Sequence, residues 1–305
     1  MKTRTKSFTI GLLVFVGATC VIATHGAKKT ANSGVAQFYH TSEARGPIRS
    51  VDLSPLGKDV SSEIIAGPTN GLDSAFLVYT RMPAGSHGPA MYALPVDHTY
   101  LVIAGQMSVQ LGTDKFVAGP NTLVLVPANT PHEAWNAGSE PVTVFEVVTP
   151  APSRDLFSLM KPAKPSKVEN AAQYIRVAKS IEGSTRGTNA QMLIERKSDP
   201  NLMSHIQERI DNVKVGYTVG PGLHVHPFDQ IYFELEGSMT LQYGTATYHP
   251  GPNSLIIIPA GVVHVNKNDG PGFERHITLL LPEPEKEPFD IRVQFLPPRT
   301  PPPAQ

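Results

Sequence analysis

The chain has 305 residues, enough for two ordinary domains with separate cores. Its 26 basic and 26 acidic residues balance, and no basic block or stripe stands out, which argues against nucleic acid as a partner. The 29 prolines and 25 glycines suit many short strands joined by tight turns.

Residues 1–27 have the form of an export signal. Lys2, Arg4 and Lys6 precede an apolar run from Phe8 to Ala23, and small residues follow, with cleavage expected after Ala23 or Ala27. The run is short for a membrane span and includes glycine and threonine, so the reading is a secreted or periplasmic protein rather than a membrane-anchored one. Gly17-Ala18-Thr19 before Cys20 is a poor lipid-attachment signal. Cleavage after Ala27 removes three basic residues and leaves a charge of 23 − 26 = −3. It also removes Cys20, the single cysteine, so a metal must be held by His, carboxylate, amide or water.

Residues 28–50 are polar and irregular and predict a flexible arm. From 60 to 150 apolar and polar residues alternate over short runs: Ala75–Thr80, Thr99–Ile103, Met107–Leu111, Leu123–Val126 and Val142–Val148. That pattern predicts an all-β sandwich or barrel. A polar link with Pro162 and Pro165 follows, then a short helix over Val168–Val177. The strand rhythm returns at Gln207–Ile210, Val213–Thr218, Ile231–Leu235, Leu255–Ile258 and Ile277–Leu281. The proline-rich tail, 296–305, cannot form regular hydrogen-bonded structure.

An internal repeat organises the chain. Shifted by 132 positions, residues 97–136 lie on 229–268 without a gap, and fifteen of the forty positions are identical, among them Asp97, Tyr100, Gly105, Asn121, His132 and Asn136. The chain therefore reads as two related β domains. The divisions expected are a signal at 1–27, an N-terminal domain at 28–152, a linker with a short helix and the second domain's first strand at 153–200, a C-terminal domain at 201–295 and the tail.

His224 and His226 stand two apart on a strand-like run, so both rings share a face. Gln230 opens the next run, and His264 follows Pro259-Ala260-Gly261. Three imidazoles and an amide oxygen can converge on one divalent metal if these strands share a barrel.

These residues also carry a resemblance. His224, His226, Gln230 and Gly237, then Pro259, Gly261, His264 and Asn268, resemble the two motifs of the cupin superfamily. The resemblance covers the second domain closely and reaches the first through the repeat, so the chain resembles a bicupin. It implies two double-stranded β-helix (jelly-roll) barrels, each with a metal or ligand pocket inside. Two positions depart from the family pattern: Gln230 stands where Glu is usual, and Asn253 where Gly usually begins the second motif.

The ligand set fits Fe, Mn, Co, Ni, Zn or Cu, without distinguishing them. A neutral amide leaves an M²⁺ site at +2, which favours anionic substrates such as enolates or carboxylates. If Gln230 faces inward, so do Tyr232 and Glu234, and both are candidate catalytic residues. Glu234 reads either as a general acid or base or as a structural carboxylate. Asn266 and Asn268 share parity with His264; either Arg275 or His276 faces inward. Glu236 is expected at the surface. In the first domain the equivalents are Tyr92, Leu94, His98 and His132, so two ligands are lost and the barrel reads as structural. Tyr92 and Trp135 could line an apolar pocket there.

The function expected is an exported metal-dependent enzyme acting on a small oxygenated organic substrate, an oxidoreductase (dioxygenase) or an isomerase or lyase. The alternative is a bicupin that binds a small molecule or metal without turnover. No stable membrane span is expected after processing, and the chain is expected to be a monomer or homodimer.

Overall fold

A computed structural model describes residues 48–50, 59–151, 155–178, 188–196, 206–285 and 290–294. The export signal, most of the expected arm and the proline-rich tail lie outside the described residues. Among the described residues no helix is long and apolar enough to cross a membrane.

The chain is all-β. The first half contains β1 (Ile48–Ser50), β2 (Ser61–Ala66), β3 (Phe76–Met82), β4 (Tyr92–Ala93), β5 (Asp97–Ala104), β6 (Met107–Leu111), β7 (Asp114–Ala118), β8 (Thr122–Val126), β9 (His132–Trp135), β10 (Val142–Thr149), β11 (Lys161–Pro162) and β12 (Ile175–Val177). The second contains β13 (Thr188–Ile194), β14 (Gln207–Val213), β15 (Thr218–Val225), β16 (Asp229–Glu236), β17 (Thr240–Tyr243), β18 (Ala246–Tyr248), β19 (Ser254–Ile258), β20 (His264–Lys267), β21 (Glu274–Leu281) and β22 (Ile291–Arg292). Each half makes a jelly-roll barrel from a six-stranded and a five-stranded sheet. The large sheets run β12-β8-β5-β10-β3-β2 and β1-β19-β16-β21-β14-β13. The small ones run β11-β4-β9-β6-β7 and β18-β17-β20-β15-β22.

Two expectations change. The helix over Val168–Val177 is a short 3-10 turn, Ala171–Tyr174, followed by strand β12. The run Val213–Thr218 is not one strand: Lys214–Tyr217 turns the chain between β14 and β15, with Gly216 at φ 82° and the Tyr217 N–H bonded to the Lys214 carbonyl. The alternating side chains there were compatible with a strand, but the left-handed glycine reverses the chain.

The outer strands cross between barrels. β1, at the end of the expected arm, pairs with β19 of the second barrel, setting Ile48 opposite Ile256. β12, in the expected linker, pairs with β8 of the first barrel, setting Ile175 opposite Val124. Val124 and Ile256 are equivalent positions of the repeat, so each barrel borrows the same edge strand from the segment before the other.

Side-chain parity explains the packing. On the large sheets Leu101, Leu123, Phe145, Ile231, Phe233, Leu255 and Ile277 face the other barrel and form one shared core. Phe233 is its hub, 5.7 Å from the Tyr79 ring and 5.1 Å from the Phe145 ring. The alternate residues point into each barrel. Both faces of β8 and β19 are thus buried, which is why Leu123-Val-Leu-Val and Leu255-Ile-Ile-Ile read as unbroken apolar runs. Asn253 and Asn121 both have positive φ, 63° and 64°. Asparagine tolerates that left-handed conformation, so the missing motif glycine leaves the turn intact. Gly237 is stricter: a Cβ there would lie 2.3 Å from the Phe273 carbonyl oxygen.

Candidate metal centre

His224 on β15 pairs directly across from His264 on β20, and His226 follows at the end of β15. Gln230 is the second residue of β16. All four are buried. The loop carrying His264 is fixed by Asp229, whose Oδ1 accepts from the Ala260 N–H at 3.2 Å, and by the Gly261 N–H bonded to the His226 carbonyl. Asp97 makes the matching bond to the Ala128 N–H in the first barrel.

The ring orientations are set from behind. His224 Nδ1 lies 2.5 Å from the Gly222 carbonyl oxygen and His264 Nδ1 lies 3.0 Å from that of Val262. His226 Nδ1 faces the Asp290 carboxylate at 3.4 Å. Protons held at Nδ1 leave every Nε2 with a lone pair. The three rings lie 4.3–5.0 Å apart by centroid, with the potential ligand atoms all within 4.8 Å of one another. Gln230 Oε1 lies 2.8 Å from the Nε2 atoms of both His226 and His264. An amide oxygen set against two nitrogen lone pairs is repulsive until a cation stands among them. Burial, with His224 beside it, pushes His264 down to about 3, so its ring is neutral and available as a ligand. The donor set therefore fits a divalent metal of borderline character.

Tyr232 and Glu234 both point inward from β16, as parity requires. Tyr232 bonds through its hydroxyl to Asn266 Oδ1 at 3.2 Å, and burial raises its pKa. Glu234 is four residues from Gln230, roughly 13 Å along a strand. It groups with Glu274 and His276 rather than with the three histidines. His276, not Arg275, is the inward one; the Arg275 guanidinium reaches Asn121 in the first barrel. A bulge between Glu234 and Glu236 turns Glu236 out to solvent. Asn268 does not line the pocket: its amide bonds the carbonyls of Val213 and Gly272, the same bracing that Asn136 gives the first barrel.

One residue escaped the sequence reading. Arg209 lies in register with Thr278, which pairs with Tyr232, so its side chain enters the second barrel one layer from Gln230. Its Nε donates to Asp211 at 2.9 Å and its Nη1 to Gln207 at 2.8 Å. Asp290, the partner of His226, is among the charges acting on it. An arginine inside a barrel was concealed by the polar stretch Gln207-Glu-Arg-Ile210, which reads like any solvated edge.

Among the described residues the first barrel has no comparable centre. His98 Nδ1 faces His132 Nε2 at 3.4 Å, and His98 Nε2 bonds Glu146 at 2.9 Å. The Tyr92 and Tyr100 hydroxyls bond each other at 2.8 Å. These groups consume one another's hydrogen-bonding capacity. Burial and then His98 push His132 down to about 3. A cavity of about 70 Å³ opens beside them, lined by Tyr92, Val78, Leu94, Val148 and Met160. Trp135 does not line it; its ring stacks on His87, 5.5 Å away.

A family model for a cupin domain matches residues 78–148. That segment of the first barrel is a cupin domain, and the chain as a whole has the cupin fold. Its two cupin barrels resemble solved structures of low sequence identity. A deletion mutant of oxalate decarboxylase from Bacillus subtilis is 13% identical at a TM-score of 0.58, covering 83% of this chain and 78% of that one. AerE from Microcystis aeruginosa is 13% identical at 0.54, covering 82% and 99%. A point mutant of salicylate 1,2-dioxygenase from Pseudoaminobacter salicylatoxidans is 9% identical at 0.54, covering 68% and 70%. No curated protein matches this chain.

Proposed function

We propose that this bicupin is an exported metal-dependent enzyme that acts on a small organic acid at His224, His226, Gln230 and His264. One observation carries the reading: three buried Nε2 atoms and an amide oxygen converge while each Nδ1 is committed elsewhere. A divalent ion held there supplies a Lewis acid whose charge no ligand reduces.

The chain's own residues select for an anion. Gln230 is neutral where a carboxylate would repel one. Arg209 offers a guanidinium in the same interior, held by Asp211 and Gln207, and a planar guanidinium matches a carboxylate. Solved cupins with similar folds are named for oxalate and salicylate, both carboxylates, which supports an acid substrate here. Glu234 stands well down the strand, beside Glu274 and His276. That placement favours oxygenase or lyase chemistry over an isomerisation driven by Glu234.

The test joins metal content to turnover. The wild-type protein and His226→Ala are compared for bound first-row metals, and for oxygen uptake and product formation with a panel of small carboxylates. Wild type carries metal and turns over an acid, and His226→Ala loses both. Tight binding of an acid by wild type with no turnover would favour the binding-protein alternative; absence of metal from wild type would sink the proposal. Export is checked by the mass of the mature chain recovered outside the cytoplasm.

A further inference from the structure

Deeper in the second barrel lies a group of ionisable side chains that the chemistry above leaves unused. Glu234 of β16 pairs across from His276 of β21, and Glu274 is two residues earlier on β21, facing the same interior. All three are fully buried. The repeat supplies a control. Their counterparts in the first barrel are Val102, Val142 and Val144, which belong to an apolar core. The fold therefore has no need of polar groups at these positions, yet the second barrel carries three together.

Their hydrogen bonding is incomplete. Apart from the contact between the two carboxyls, both oxygens of Glu234 and Oε2 of Glu274 have no hydrogen-bond partner among the described residues, and neither does Nδ2 of Asn266 on β20. Buried polar atoms are seldom left unsatisfied, so three such oxygens on two adjoining carboxyls point to a missing ligand. One ligand atom from each of the three lies within 4.8 Å of the others. His276 Nδ1 faces Glu274 Oε1, while Nε2 lies 3.5 Å from Asp211 Oδ2. A proton kept on Nε2 toward Asp211 gives Nδ1 a lone pair, with which it can ligate a cation placed between it and Glu274.

Charge completes the argument. Asp211 is offset by Arg209, to which it is bonded. Among the described residues Glu274 has only the His276 imidazole beside it, and no salt bridge reaches Glu234. Ionised together they would place two like charges in an enclosed interior. A divalent ion, two carboxylates and a neutral imidazole sum to zero. We propose that Glu234, Glu274 and His276 form a second cation site, distinct from the histidine centre, that takes a divalent first-row ion suited to oxygen ligands, Mn²⁺ or Fe²⁺. Burial and the neighbouring Glu274 push the Glu234 carboxyl well above the usual range, so in the absence of a cation it keeps its proton. Cation and proton therefore compete for the same oxygens.

The two sites are separable by counting. Protein expressed with manganese supplied, then dialysed, is assayed for bound manganese and examined by anomalous scattering at the manganese edge. The variants are His226→Ala and a triple change, Glu234→Val with Glu274→Val and His276→Val, which copies the first barrel. Two equivalents are expected in wild type, one in each variant and none in their combination. Glu234→Gln, nearly isosteric, should lose the same equivalent as the triple change if the latter folds poorly. An equivalent that survives in His226→Ala and disappears in Glu234→Gln supports the site even if the histidine centre proves empty. Wild type with a single equivalent that His226→Ala abolishes, or a triple variant that binds as much as wild type, overturns it.

Discussion

Gln230 decides the electrostatics of the centre, because it bridges two imidazoles with an uncharged oxygen. Gln230→Glu should therefore bind a divalent metal more tightly and raise KM for a carboxylate substrate, each on the order of tenfold, ~1.4 kcal/mol. Metal titration and steady-state kinetics check the two halves separately. A second residue makes stability depend on pH. Glu208, buried between the barrels, accepts one bond from Thr99, and its other oxygen has no partner. Burial pushes its pKa from 4.5 up to about 8. The folded chain thus binds the extra proton between those values, and its stability falls as pH rises through them, by ~1.4 kcal/mol per pH unit for this group. Glu208→Gln should remove that slope: urea unfolding is expected to show the variant more stable than wild type at pH 8 and similar near pH 4.5. His132 acts with the opposite sign. Its pKa is lowered from 6.5 to about 3, so stability is lost as pH falls through that window. At this scale the convergence of His224, His226, Gln230 and His264 was legible because strand parity and motif spacing specify direction. Arg209 and Glu208 were not, since adjacent charged residues in Gln207-Glu-Arg-Ile210 give no sign that one faces a barrel interior and the other a second barrel.

At the scale of elements, the exchanged strands β1 and β12 lock each barrel to a segment of chain that precedes the other. Ile48 packs on the Tyr232–Ile256 cluster and Ile175 on the Val124 cluster. Placing a carboxylate at either position should destabilise the protein by about 1–3 kcal/mol. Thermal melts of Ile48→Asp and Ile175→Asp are expected to shift downward by similar amounts, because the two contacts are counterparts. These strands were not readable beforehand. Three residues are too few to show a period, and their pairing partners lie far away in sequence. The long strands β5, β10, β16 and β21 were readable, since each shows an apolar run long enough to demand burial. Turns were mixed: Gly237, whose Cβ would strike the Phe273 carbonyl, was marked by the repeat, whereas Gly216 was hidden within an apparent strand.

At the scale of the molecule, one core joins the barrels, and Phe233 sits between Tyr79 and Phe145 within it. Phe233→Ala should cost about 3–5 kcal/mol, measurable as a lower urea midpoint. The repeat announced two barrels, and the run Leu255–Ile258 reads only as one more strand, whereas both its faces are buried. What it could not show is that the covering came from the sister barrel. That arrangement has a thermodynamic consequence. Two subunits joined only by non-covalent contacts separate when diluted, and their melting temperature follows concentration. Here the partners are parts of one polypeptide, so each meets the other at a fixed effective concentration set by the connecting segment. The barrel-to-barrel interface should hold at any dilution.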